Sequence, residues 1–218
     1  MNHLAGLGAA GNFRIAAVSW GHKRSMKKRR KERGFSLLEL MVTLAVILAA
    51  MAVCVVQVMP VLRDARVDSA KQLVQNQLRA ARAHAIANRG EYIVAFSTTG
   101  TITTTAPNVA GATTTTVPLP ADVQFYLFSG LPTTPDGFVP GATAINFDQG
   151  GSSGNTLKIR FEPNGSAIDD AGVLNNGAVF VARSSGDATS QRAITLLGAT
   201  SRVRSWKIVK SGSVYKWQ

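Results

Sequence analysis

The sequence predicts an α+β protein in which one long N-terminal helix packs on an antiparallel β-sheet. Two patterns predict this. Before Gly90, small apolar residues recur at spacings of three or four, which is one face of an α-helix. After Gly90 the chain changes to short alternating segments separated by Gly, Asn and Asp turns, which is typical of strands. One helix followed by a run of strands is the order of an α+β domain with the helix on a sheet face. The residues on the predicted helix face are Val67, Ala70, Val74, Leu78, Ala81 and Ala85.

The helix is expected to run from Phe35 to Arg89 in two halves. In residues 35–59 the stretch Leu40–Val56 has 17 residues with Thr43 as its one polar member, and about 20 such residues span a bilayer. Residues 60–89 form the amphipathic half. Pro60 removes one backbone hydrogen bond, so a kink or local unwinding is expected there. Gly90 is expected at the position just past the helix, with Arg89 near the negative end of the helix dipole.

Residues 90–218 are expected to form a β-rich domain. The segment 98–116 contains ten Thr among Gly, Ala, Pro and Asn, and it is interpreted as a loop or irregular strand. The Pro/Gly-rich segment 129–141 and the glycines near 150–154 are also interpreted as loops. The expected strands are Glu91–Ser97, Asp122–Phe128, Thr143–Phe147, Leu157–Glu162, Ala178–Arg183, Arg192–Leu197, Val203–Lys210 and Val214–Trp217.

The positive charge is concentrated at the N-terminus. The chain has a net charge of +12, and residues 1–34 hold nine Lys/Arg and one Glu, a net of +8, which leaves +4 for the rest. Basic residues beside an apolar segment remain on the cytoplasmic side. The run Lys27–Arg33 is therefore interpreted as a topology signal that leaves the C-terminal domain outside.

The composition gives little support for catalysis or for a bound metal. Cys54 is the only cysteine, so an intrachain disulfide is excluded, and the three histidines are scattered, with only His84 beyond the leader. His84 is interpreted as solvated or helix-flanking. Asp169 and Asp170 are interpreted as a solvated turn, because one carboxylate pair supplies too few ligands for a calcium ion. We therefore expect no enzyme activity, no cofactor and no metal.

A specific motif joins the basic run to the apolar segment. Gly34 is followed by Phe35, and Glu39 is the fifth residue counted from Phe35. A carboxylate in a membrane segment costs about 2.5–3.5 kcal/mol at the bilayer centre on insertion scales, so such a group generally has a function. The arrangement resembles the cleavage site of type IV prepilins and type II secretion pseudopilins.

The resemblance implies a pilin fold and a particular maturation. A prepilin peptidase would cut between Gly34 and Phe35, Phe35 would be N-methylated, and Glu39 would guide assembly with other pilins or pseudopilins on an inner-membrane assembly platform. The chain would be a single-pass protein of the bacterial inner membrane with a periplasmic C-terminal domain, and part of a pseudopilus after assembly.

Residues 1–34 are interpreted as a leader that takes no part in the fold. Residues 26–34 alone have the length of a short prepilin leader. Residues 1–25 are Gly/Ala-rich and loosely patterned, which favours a start codon placed too early, with a long leader as the alternative.

Three other targeting signals were weighed against prepilin cleavage. A secretory signal could end at Ala50-Met51-Ala52, but the apolar run continues through Val56. A lipoprotein signal would modify Cys54, for which Val53 is a poor preceding residue. An uncut transmembrane anchor is the third alternative.

The C-terminal half resembles the minor pseudopilin H (GspH/FimT-like) group. Phe161, Pro163 and Gly165 match a Phe-x-Pro-x-Gly turn of that group. A Gly-Arg-x-Arg ending appears here as Ser201-Arg202-Val203-Arg204, with Ser in the Gly place. This resemblance implies a minor pseudopilin of a type II secretion system.

The basic C-terminal end supports an alternative function, which is a type IV minor pilin that binds DNA for uptake. Basic residues suit phosphates, and interleaved aromatic residues suit base stacking. The competing interpretation is an amphipathic hairpin with its charges outward and its aromatic residues inward. The candidate contacts are Arg202, Arg204, Lys207 and Lys210, with Lys216 nearby and Trp206, Tyr215 and Trp217 interleaved.

Overall fold

Helix α1 runs from Leu37 to Asn88 in a computed structural model that describes residues 34–111, 114–147 and 157–218. The chain divides into two units, residues 1–47 and 48–218. The described part of the first unit is the beginning of α1. The second unit contains the rest of α1 and all the strands described below. The expectations for residues 1–33 and for the glycines near 150–154 lie outside the described residues.

The helix continues through Pro60 without a break. The local unwinding expected there is therefore wrong, and the alternative expectation of a kink stays a prediction. Proline removes one backbone donor, and the residues on both sides of Pro60 keep the helical conformation.

The end of α1 differs by one residue from the expectation. Arg89 has the left-handed conformation, with φ +48°, and the N–H of Gly90 donates to the carbonyl of Ala85 at 3.2 Å. This is the hydrogen bond of a Schellman end with Arg89 just past the helix and Gly90 one position later. Gly90 is needed for space, because a Cβ there would lie 2.4 Å from a methyl carbon of Val109.

The first sheet has five antiparallel strands in the order β3-β2-β1-β6-β7. Its strands are β1 Tyr92–Ser97, β2 Thr101–Thr105, β3 Thr115–Pro118, β6 Lys158–Phe161 and β7 Ala167–Ile168. Parts of the Thr-rich segment therefore form two regular strands, which corrects the expectation of a loop or irregular strand. Thr is β-branched and fits a pleated surface, and β1 gives β2 a regular partner through the pairs Ile93–Thr105 to Ser97–Thr101.

The second sheet has the order β11-β10-β9-β8-β4, and β5 also pairs with β8. Its strands are β4 Gln124–Phe125, β5 Ile145–Asn146, β8 Gly177–Ala182, β9 Arg192–Leu197, β10 Arg202–Ser211 and β11 Val214–Trp217. All residues of β8 are buried, so both faces of this sheet are covered.

Strand β4 is much shorter than the seven residues expected. The side chain of Gln191 takes the place of a neighbouring strand there. Its Oε1 accepts from the N–H of Phe128 at 3.1 Å, and its Nε2 donates to the carbonyl of Tyr126 at 2.8 Å. A longer β4 would have satisfied the N–H of Phe128 and the carbonyl of Tyr126 by pairing with a neighbouring strand. The buried side-chain amide of Gln191 satisfies both groups instead.

The main core lies between α1 and both sheets. The buried face of α1 consists of the six residues expected from the sequence. They share one cluster with residues of the first sheet, such as Phe96 and Phe161, and of the second, such as Ile194 and Leu196. The sequence predicted one sheet on the helix, whereas the structure has two sheets that both pack on α1.

A second, smaller core lies on the other face of the second sheet. It combines Phe138 with Phe180 of β8 and Ala193 of β9, and Trp206 and Trp217 pack against it. The segment 129–141, interpreted as a plain loop, therefore covers a sheet face.

Candidate functional site

The N-terminal half of α1 is not covered by any other part of the chain that the structure describes. Every residue from Gly34 to Arg66 is exposed, and burial begins at Val67. Within the part of the chain that the structure describes, α1 is the one helix long and apolar enough to cross a membrane. Its most apolar 18-residue window has a mean hydropathy of 2.6 and no buried residue.

The first turn of α1 contains Glu39. The N–H of Leu40 donates to the carbonyl of Ser36 at 3.1 Å, which closes the first helical turn. The hydroxyl of Thr43 donates to the carbonyl of Leu40 at 2.9 Å, so the one polar side chain of the apolar stretch is satisfied locally. Glu39 is exposed in this first turn, where the helix dipole favours a carboxylate.

The sequence around Glu39 also has a local pattern that the sequence interpretation missed. Ser36 and Glu39 have the Ser-x-x-Glu spacing of a capping box, in which the two residues satisfy free backbone N–H groups at a helix start. A test of Glu39 in assembly must therefore separate its charge from a capping effect. Glutamine at this position would keep the capping pattern and remove the charge.

The basic hairpin, defined as β10 and β11 (Arg202–Trp217), divides its charges between two faces. Side chains alternate along a strand, so Lys207 lies on the opposite face of β10 from Arg202 and Arg204. Lys207 contributes to the electrostatics of Asp68 on α1, which agrees with a position on the helix side. Lys210 is exposed near the hairpin turn. The four candidate contacts therefore do not form one surface.

Asp136, which the sequence interpretation did not single out, holds the two arginines. Its Oδ1 lies 3.1 Å from Nη1 of Arg204 and 3.7 Å from Nη2 of Arg202. Its Oδ2 accepts from the hydroxyl of Thr195, which in turn accepts from Nε1 of Trp206 at 3.1 Å. No local pattern marks this carboxylate, because its partners lie about 60 residues or more away along the chain.

The two tryptophans of the hairpin face inward. Both pack against the second core. Nε1 of Trp217 donates to the carbonyl of Pro132 at 2.9 Å, and the guanidinium of Arg204 lies 5.9 Å from the centre of the Trp206 ring. The tryptophans are thus inward, as in the amphipathic alternative to DNA binding, but Trp206 lies on the same face of β10 as Arg202 and Arg204.

Asp169 lies in a structured turn, which corrects the solvated interpretation for this residue, whereas Asp170 is exposed as expected. Asp169 is 4% exposed, and its Oδ1 accepts from the N–H groups of Ala171 and Val173. Asp170 pairs with Lys158 at 2.9 Å. Within the described residues no group of His, Cys, Asp or Glu side chains could hold a metal ion.

A long helix with an exposed apolar N-terminal half, packed by its other half on antiparallel sheets, is consistent with a pilin fold. Residues 29–55 match the family model described as the prokaryotic N-terminal methylation motif. The match supports a type IV prepilin-like protein, and proteins of that kind are structural subunits rather than known enzymes. The matched residues include Gly34, Phe35 and Glu39. No curated protein and no solved structure matches the chain significantly.

Proposed function

We propose that this chain is a minor pseudopilin of a type II secretion system. It is made as a single-pass inner-membrane protein with a periplasmic domain. A prepilin peptidase cuts it between Gly34 and Phe35, Phe35 is N-methylated, and the apolar half of α1 then moves into a filament of pilin-like subunits on an inner-membrane assembly platform.

The observation that carries this proposal is the uncovered apolar stretch that begins directly after Gly34-Phe35. Burial of one Val, Leu or Ile side chain stabilises by about 1.5–3 kcal/mol. Over more than a dozen such side chains the total far exceeds the 5–15 kcal/mol by which a domain is stable. Residues 35–62 therefore need cover from lipid or from neighbouring helices, and a filament subunit uses each in turn.

Two local features support the minor pseudopilin H group within this family. Gly165 of the Phe-x-Pro-x-Gly turn has φ +83°, and its carbonyl accepts from Nε of Arg82 on α1 at 3.2 Å. The turn is thus held against the helix. Ser201, in the Gly place of the Gly-Arg-x-Arg ending, has φ +47°, a conformation that glycine adopts without strain.

Maturation is tested by the N-terminus of the protein isolated from cells that express a prepilin peptidase. We expect the chain to begin at Phe35 and to carry one added methyl group by mass spectrometry. Gly34→Leu should block cleavage, because the peptidase would have to accept a bulky side chain before the cut. Gly34→Ala is the matched control, because it changes the same residue but adds only a small side chain. A mature chain that begins at Cys54, or one that keeps Met26, would falsify this maturation.

A second candidate function is a type IV minor pilin that binds DNA for uptake. The observation that favours it is the charge of the basic hairpin, whose residues 202–217 include five Lys/Arg and no Asp or Glu. Because Trp206 and Trp217 pack inward, contact would be made through phosphates rather than by base stacking on those rings. The inward tryptophans and the division of charge between two faces place this function second.

A further inference from the structure

Asp136 is held in a fixed position by the turn that contains it. The N–H of Gly137 donates to the carbonyl of Thr134 at 2.8 Å, and the ring of Pro135 restricts φ between them. The hydroxyl of Thr134 bonds Phe138, whose ring belongs to the second core. The carboxylate is therefore positioned by the fold before any ligand arrives.

This one carboxylate serves two guanidinium groups. The side chain of Asp136 is 13% exposed, whereas those of Arg202 and Arg204 are 52% and 45% exposed. Each guanidinium has five N–H donors, and Asp136 offers both of them a single oxygen, Oδ1. The cluster keeps a net charge of +1 and has donors directed at solvent.

We propose that Asp136 is a built-in competitor for an anion site formed by Arg202 and Arg204, and that the external ligand is the phosphodiester backbone of a nucleic acid. A phosphate binds there by sharing or displacing the Asp136 carboxylate, so Asp136 sets the affinity of the surface. This inference rests on the second candidate function and adds to it a residue that opposes binding.

The charge pattern favours nucleic acid over an acidic protein segment. The basic hairpin offers cations along a strand with no carboxylate of its own, and a phosphodiester chain supplies one negative charge at every unit. The contact is expected to depend weakly on base sequence, because Trp206 and Trp217 are held in the second core.

The test measures binding of a fluorescein-labelled oligo(dT) to the full chain in phosphatidylcholine nanodiscs, by anisotropy over a range of salt. The basic leader is identical in all variants, and Arg202→Ala with Arg204→Ala measures its contribution. Asp136→Asn removes the competing charge and keeps the shape. The matched control is Asp187→Asn, an exposed carboxylate whose bonding partner is Thr189. Asp136→Ser replaces Asp136→Asn if that variant does not fold.

We expect Asp136→Asn to bind about 5-fold more tightly than wild type, a factor equivalent to about 1 kcal/mol. The slope of log K against log salt should become steeper by about 0.7, the value for one more phosphate on a single strand. Asp187→Asn should match wild type, and addition of Arg202→Ala and Arg204→Ala should abolish the gain.

Three other outcomes would each contradict a different part of the proposal. If no variant binds above the leader background, the DNA function itself is wrong. If wild type binds through the arginines but Asp136→Asn gains no more than Asp187→Asn, the competitor role is wrong and the DNA function stands. If poly-glutamate of equal charge gains as much as oligo(dT), the assignment of the ligand to nucleic acid is wrong.

Discussion

Ser201 occupies a position where glycine would cause less strain. It has φ +47° and is 2% exposed, and its hydroxyl makes one long bond of 3.4 Å to the carbonyl of Gly198. A left-handed conformation costs an L-residue about 1–2 kcal/mol. The left-handed conformation therefore explains why the Gly-Arg-x-Arg pattern has glycine at this position. In this chain Ser201 adopts the same conformation at a cost in strain.

Ser201→Gly is expected to stabilise the domain. The strain is relieved and one weak bond is lost, so the free energy of unfolding should rise by about 1 kcal/mol, or about 2–4 °C in Tm for a domain of this size. The measurement is thermal unfolding followed by the fluorescence of Trp206 and Trp217. The control is Ser205→Gly in the interior of β10, which should lower stability by about 0.5–1 kcal/mol. A Ser201→Gly variant that is no more stable than wild type, or that loses as much stability as Ser205→Gly, would contradict this explanation.

At the scale of elements, one ion pair fastens α1 to the second sheet. Nε of Arg192 on β9 donates to Oδ1 of Asp68 on α1 at 2.7 Å, and the Arg192 side chain is fully buried while that of Asp68 is 35% exposed. Partial burial acts to raise the pKa of Asp68. The hydrogen bond and charge of Arg192, with the charges of Lys71 and Lys207, outweigh it and lower that pKa below its ordinary value.

Asp68→Asn should destabilise the domain by about 3 kcal/mol, because it leaves the buried guanidinium of Arg192 without a counter-charge. Asp122→Asn is a matched control. Asp122 also pairs with α1, through Arg66 at 2.6 Å, but both side chains are about half exposed. Its loss should cost less than about 1 kcal/mol, and Asn tolerates the φ of +68° at this position. Equal losses in the two variants, measured by chemical unfolding, would show that burial of Arg192 does not decide the effect.

The same pair predicts a pH dependence. A lowered folded pKa means that Asp68 contributes its full stability above the ordinary value of 3.8. This stability is lost as pH falls through the folded pKa, which lies below that value. The stability gap between wild type and Asp68→Asn should therefore be constant from about pH 7 to about pH 5 and narrow towards about pH 3. A gap that stays constant to the lowest pH would contradict the lowered pKa.

At the scale of the whole molecule, features set by local pattern were predictable from the sequence and long-range pairings were not. The six buried residues of α1 follow from their spacing alone. The partner of Arg192 lies 124 residues away, and Gln191 replaces a strand pairing across 65 residues. The Thr-rich strands also depend on a partner, because their composition alone is equally typical of a loop.

The candidate site divides in the same way. Gly34, Phe35 and Glu39 lie close together in the sequence, so a motif could identify them. Their roles in cleavage, methylation and assembly stay predictions. Asp136 approaches Arg204 from 68 residues away, so only the fold reveals that contact. The sequence therefore identifies the hairpin as basic, but it does not identify Asp136 as the counter-charge of Arg204.

The two halves of α1 differ in how much of their surface is buried, and Glu39 lies in the exposed half. Residues 67–85 pack in the domain core, whereas the described residues leave the apolar half uncovered. When neighbouring helices cover it in a filament, the Glu39 carboxylate is enclosed with it. A buried charge without a partner is strongly unfavourable. The amine of Phe35 on a neighbouring subunit is the partner that the prepilin resemblance implies.

Glu39→Ala is therefore expected to insert in the membrane and fold normally but to be largely absent from filaments. Glu39→Gln tests the charge by itself, because Gln keeps the pattern of a capping box and loses the charge. If charge pairing guides assembly, Gln should fail as Ala does. Thr43→Ala is the control, since the Thr43 hydroxyl bonds only within its own helix at Leu40, and it should assemble like wild type. The measurement compares the filament and membrane fractions by quantitative immunoblot. Assembly of Glu39→Gln at the wild-type level would show that the charge of Glu39 does not guide assembly.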